Sequence, residues 1–169
     1  MPPSGKPLSP GSGGTSHDPA KRVKSYGENS MTPTISPGLL YHDAHAAIDW
    51  LCRAFGFEKR LVIPGRGNLI VHAHLTFGHG GVMLSSAENY AFPHLCRSPR
   101  TLGGAGTVEL MVVVSDVDAH YARALAAGAE IVIAIEDKAY GGRSYACRDI
   151  EGYVWVFGSY DPWVGDEDV

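Results

Sequence analysis

The chain has 169 residues, 44% of them hydrophobic and 19% charged, and a formal net charge of −4. That length fits one domain, or two small units sharing a core. The acidic balance argues against a nucleic-acid or anionic-membrane surface, and no run of about 18 apolar residues is present to span a bilayer.

Residues 1–30 contain five Pro, five Gly and six Ser. Such a segment buries too little apolar area to offset its ordering entropy. A disordered tail is therefore expected over 1–32. Its few apolar side chains (Met1, Leu8, Ala20, Val23, Tyr26) do not make a signal peptide. The first 30 residues carry a net charge of +2, which leaves −6 on the rest.

A single domain is expected over 33–163. Ile35 to Leu40 reads as a strand, and Asp43 as the N-cap of a helix whose buried face is Ala46, Ala47, Ile48, Trp50, Leu51, Ala54 and Phe55. Gly56 ends that helix as a left-handed cap. Strands follow over 57–63, 69–77 and 82–86, which completes a first module over 34–86. Residues 87–106 form a Pro- and Gly-rich linker. In the second module, over 107–160, Val108 to Val114 is a strand, Asp116 the N-cap and Gly128 the helix stop. Strands over 129–135, 144–148 and 153–160 complete it. An acidic tail closes the chain over 164–169.

The two halves repeat each other. Asp43 and Asp116 are 73 residues apart, while the pairs Gly56/Gly128, Glu58/Glu130 and Gly80/Gly152 are each 72 apart. A constant offset constrains the whole fold more than any one strand does. The order strand, helix, strand, strand, strand occurs twice, an α+β pattern of two tandem βαβββ modules.

Three blocks carry a family resemblance: Asp43 to Trp50 with Ala54 to Glu58, Asp116 to Ala119 with Leu125 to Ala129, and Arg148 to Tyr160. The chain resembles the vicinal oxygen chelate superfamily of glyoxalases, bleomycin-resistance proteins and extradiol dioxygenases. Its final block is most similar to the bleomycin-resistance branch. The resemblance implies that the two βαβββ modules form curved mixed sheets with the helices outside, in a homodimer whose cavities those sheets cup. In the metal enzymes of the family, His, Gln or Glu ligands come from the first and last strands of each module. The matching positions here are Ser36, Leu84, Glu109 and Val156. Only Glu109 carries a suitable donor, so no metal cofactor is expected at that site.

A second arrangement rests on strand pairing. The turn Asp149-Ile150-Glu151-Gly152 reads as a type I turn with a glycine bulge, which pairs Ala146 with Val156. The 72-residue offset then pairs His74 with Leu84 and His72 with Ser86. Opposed residues share a face, so His72 and His74 would line the cavity; a four-residue loop would instead turn both to the core. The candidate ligand-binding set is Ser36, His72, His74, Leu84, Ser86, Glu109 and Val156, with Ser144 or Arg148 as further polar members. A divalent metal held off-pattern by His72, His74 and Glu109 is the alternative. His42, His45, His79, His94 and His120 read as solvated. No phosphate loop or nucleophile elbow is present. The three cysteines (Cys52, Cys96, Cys147) lie too far apart for a zinc site or disulfide framework and read as reduced thiols in a cytoplasmic protein.

The expected function is small-molecule binding without a bond broken, in a homodimer cavity, with no nucleic-acid or membrane partner. The acidic body suits a basic, aromatic-bearing antibiotic or metabolite. The alternative is a metal-dependent lyase or isomerase of the glyoxalase type.

Overall fold

A computed structural model describes residues 35–162. The expected tails over 1–32 and 164–169 lie outside the described residues. The elements follow in the order β1 (Gly38–Tyr41), α1 (Ala44–Phe55), β2 (Glu58–Pro64), β3 (Ile70–Phe77) and β4 (Gly80–Ser86), then β5 (Glu109–Val113), α2 (Val117–Ala126), β6 (Glu130–Asp137), β7 (Arg143–Arg148) and β8 (Val154–Gly158). Each module builds one four-stranded sheet, ordered β1-β4-β3-β2 and β5-β8-β7-β6. The first and last strands of each module run parallel and the other neighbours antiparallel. Among the described residues no helix is long and apolar enough to cross a membrane.

The helix ends form for the reasons the sequence gives. Asp43 Oδ1 accepts from Ala46 N at 3.0 Å, and Asp116 Oδ1 from Ala119 N at 2.9 Å. Each carboxylate satisfies a helix N–H that has no partner inside the helix. Gly56 and Gly128 follow the two helices at φ +82° and +84°, where a side chain is strained.

The two modules share one core. Phe55 and Phe57 of module one pack on Phe157 and Trp155 of β8, with ring centroids 4.7 Å and 5.6 Å apart. Burial of one such aromatic side chain contributes about 2–3 kcal/mol. The helices also complete each other. Trp50 of α1 donates to the carbonyl of Ala127 at the end of α2, at 2.9 Å. Arg123 of α2 donates to the carbonyls of Ala54 and Phe55 at the end of α1, at 3.2 and 3.0 Å. Trp50 and Arg123 stand at the same distance past their N-caps, so each helix closes the other's open carbonyl end from matching positions.

Module two turns on Asp149. Its Oδ1 accepts from the backbone N–H groups of Glu151, Gly152 and Tyr153. Its Oδ2 accepts from Trp155 Nε1 at 3.0 Å and, across the modules, from the Tyr41 hydroxyl at 2.7 Å. The neighbouring Glu151 reaches His42, bonding its backbone N–H and its Nδ1.

Strand register departs from the expected pairing in module one only. Ala146 pairs with Val156 as the type I turn requires. In module one, Phe77 pairs with Gly80 across a two-residue turn, which pairs His74 with Met83 and Ala73 with Leu84. The hairpin is shorter than its counterpart, so the 72-residue offset slips by one and the pairings His74–Leu84 and His72–Ser86 do not form.

Candidate ligand-binding face

One face of each sheet packs on the helix layer and the other lies open. On the first sheet, Ala73, Leu75, Val82 and Leu84 belong to the core. Alternation places His72, His74, Thr76, Met83 and Ser85 on the open side. Rows run across it through Gly38, Met83, His74 and Leu61, with Ile63 opposite His72 in the next. A shallow cavity of about 130 Å³ lies here, with Gly38, Leu40, His72, Met83 and Ser85 in its lining. His74 Nε2 is buried without a hydrogen-bond partner. A Cβ on Gly81 would stand 3.0 Å from that nitrogen and 2.5 Å from the Leu75 carbonyl, so the strand needs glycine there.

On the second sheet, Leu110, Tyr145, Cys147, Trp155 and Phe157 belong to the core. The open side carries one charged row, Glu109, Val154, Arg148 and Glu130. Beside it runs an apolar row of Met111, Val156, Ala146 and Ile133. Leu61, Ile63, Met111 and Ile133 are 42–49% exposed, so both open faces present aliphatic surface. A larger cleft of about 480 Å³ borders edge strand β5 and includes Met111 and Val113 in its wall, with Phe57, Phe77 and Trp155 behind. That volume lies in the range of small-molecule sites.

The expected site residues divide accordingly. His72, His74, Glu109 and Val156 lie on open faces. Ser36 precedes β1 and is half-buried. Leu84 and Ser86 are corrected: both are buried, and Ser86 Oγ accepts from the backbone N–H of Ile70 at 2.9 Å. Ser86 therefore serves the sheet. With the register slip, the position opposite Val156 in the repeat becomes Met83. The four positions that would carry a family metal site are then Ser36, Met83, Glu109 and Val156. One carboxylate among a hydroxyl, a thioether and an isopropyl group does not make a site for a hard or borderline divalent ion. His72 and His74 lie on one sheet and Glu109 on the other. Among the described residues, no group of three or more His, Cys, Asp or Glu side chains is placed to hold a metal.

One further reading changes. His120 is buried, bonded through Nδ1 to the Tyr145 hydroxyl at 2.7 Å and through Nε2 to the Phe55 carbonyl at 3.0 Å. Burial holds its pKa down at about 4, against an ordinary 6.5. Its position was legible: Val117, His120 and Ala124 form one i, i+3, i+7 face of α2. Cys147 is buried, and desolvation pushes its thiol up to about 12, which leaves it inert as a nucleophile.

The sequence profile of the Glyoxalase/Bleomycin resistance protein/Dioxygenase superfamily matches residues 35–157. The chain belongs to that superfamily. An uncharacterized protein of Mycobacterium tuberculosis strain H37Rv is 36% identical over 133 residues, covering 76% of this chain and 75% of its own. Among solved structures, TioX from Micromonospora sp. ML1 is 39% identical with a TM-score of 0.59, covering 73% of this chain and 95% of its own. A superfamily member from Nocardioides shares the fold at 22% identity and a TM-score of 0.56, covering 79% of this chain and 87% of its own. The superfamily match agrees with the two tandem modules and the paired four-stranded sheets.

Proposed function

We propose that this chain binds a polar aromatic small molecule against its open sheet faces and sequesters it without metal chemistry. A second copy covers the exposed aliphatic rows and closes the cavity. One observation carries the reading. Each open face combines exposed aliphatic side chains with a buried, unpartnered nitrogen, His74 Nε2 on one sheet and Arg148 Nε on the other. Buried polar atoms are normally hydrogen-bonded, so an orphan on an open face invites a partner from outside the chain. The donor set at the family's metal positions supports binding over metal catalysis.

Isothermal titration with glycopeptide-type DNA-cleaving antibiotics tests the proposal. The expected result is saturable heat at micromolar ligand, with the antibiotic recovered chemically unchanged. Val156→Arg, which puts a charge in the apolar row, should abolish that heat while leaving the fold intact. An absence of heat removes this ligand class. Turnover that depends on added nickel, zinc or manganese overturns the reading in favour of a lyase or isomerase.

A further inference from the structure

The reading above leaves the charge of the ligand open, and Arg148 addresses it. Arg148 ends β7 and pairs through the backbone with Val154 on one side and Glu130 on the other. Its neighbours in sequence, Cys147 and Asp149, are both buried. Arg148 itself is half-buried on the open face, and its Nε is buried with no hydrogen-bond partner. The ion pairs among the described residues use His42, Lys59, Lys138 and Arg143, and none takes Arg148. Gly104 of the linker covers the guanidinium closely: a Cβ there would stand 3.6 Å from Arg148 Nη1. Gly104 has φ +88°, so the loop holds a conformation that disfavours a side chain at this point.

A guanidinium stays charged at any physiological pH and has five donors. Partial removal from water without a counter-charge is costly, and a ligand anion is the natural way to offset it. Two carboxylates share its row, Glu109 and Glu130, and both are exposed. Neither stands within ion-pair distance of the guanidinium, so neither occupies its donors. In the adjoining row Met111 and Ile133 are exposed and Val156 is half-buried, which gives an aromatic ring an apolar surface beside the charge.

We infer that Arg148 is the recognition group for an acidic substituent, so that the ligand is an aromatic carboxylic acid or a similar planar anion with its ring on the Met111–Val156 row. This rests on the open-face reading above. It assigns the local charge opposite to the one the acidic body alone would favour.

The test compares 2-naphthoate with the neutral, near-isosteric 2-naphthamide, using the full chain and amide NMR titration. The wild type should bind the carboxylate about tenfold more tightly than the amide, with the largest shifts on β7 and β8. Arg148→Met should erase that preference and leave amide affinity unchanged. Arg148→Lys, which keeps the charge and loses the fork, should retain part of it. Equal affinities in the wild type, or a preference that survives Arg148→Met, overturn the assignment and leave the open-face site standing. If Arg148→Met does not fold, Arg148→Gln takes its place, and a preference that survives there overturns the assignment. Failure of both compounds to shift open-face residues overturns the open-face reading and this inference together. Sedimentation completes the set: if Arg148→Met breaks a dimer with no change in ligand preference, the anion belongs to a second copy and the inference falls.

Discussion

Module one reverses between β3 and β4 in two residues, Gly78 and His79. Module two reverses between β7 and β8 through a longer turn held by one carboxylate with five donors. The short turn is self-contained. The longer one sends Asp149 to Tyr41 and Glu151 to His42, both at the end of the first module's opening strand. The helices differ in the same sense. The position that carries Ala47 in α1 carries His120 in α2, and His120 bonds the last carbonyl of α1. Module two thus holds most of the polar groups that join the halves, while module one receives them.

Three perturbations test that asymmetry. The largest effect belongs to Asp149→Ala. It strands the Tyr41 hydroxyl, the Trp155 N–H and three turn N–H groups in or near the core, and should cost about 3–5 kcal/mol in urea unfolding. An effect under about 1 kcal/mol would mean that the turn does not join the modules. The second is a pH effect. The His120 pKa is lowered from 6.5 to about 4, so its contribution is complete above pH 6.5 and declines as pH falls towards 4. The wild type should lose about 2–3 kcal/mol more than His120→Gln between pH 7 and pH 4.5. Parallel stability curves for the two proteins would contradict the buried neutral imidazole. The smallest effect compares two glycines. Gly56→Ala and Gly128→Ala both place a side chain in the left-handed region, at about 1–2 kcal/mol. At Gly56 the new methyl would also stand 2.8 Å from Arg123 Nη2, whereas nothing lies within 4 Å at Gly128. Gly56→Ala should therefore be the more destabilising in thermal unfolding, and the gap should vanish in an Arg123→Met background.

Much of this fold was legible in the residues. The caps Asp43 and Asp116, the stops Gly56 and Gly128, and the near-constant offset between the halves place eight strands and two helices. The first hairpin was not legible because Gly80 matches Gly152 only in spacing. Gly152 sits in its turn at φ +96°, while Gly80 is already in β4 and Gly78 takes the positive φ of +52°. One residue of turn length moved Leu84 and Ser86 from the open face to the core. Alternation still brought His72 and His74 to the open side, because it depends on their own strand. The buried polar groups were hidden for another reason: Asp149 and Glu151 meet partners more than a hundred residues earlier, and no local pattern encodes such a meeting.

The crossed capping of the two helices has a consequence for the history of the chain. A half-length ancestor would have left its helix with four open carbonyls at one end, and a second molecule with the same helix would have been the nearest supply of donors. In that symmetric pair, whichever residue stood seven positions past the aspartate had to serve both ends alike. A tandem chain carries no such constraint: Trp50 and Arg123, an indole and a guanidinium, close opposite ends of one seam with different chemistry from matching positions.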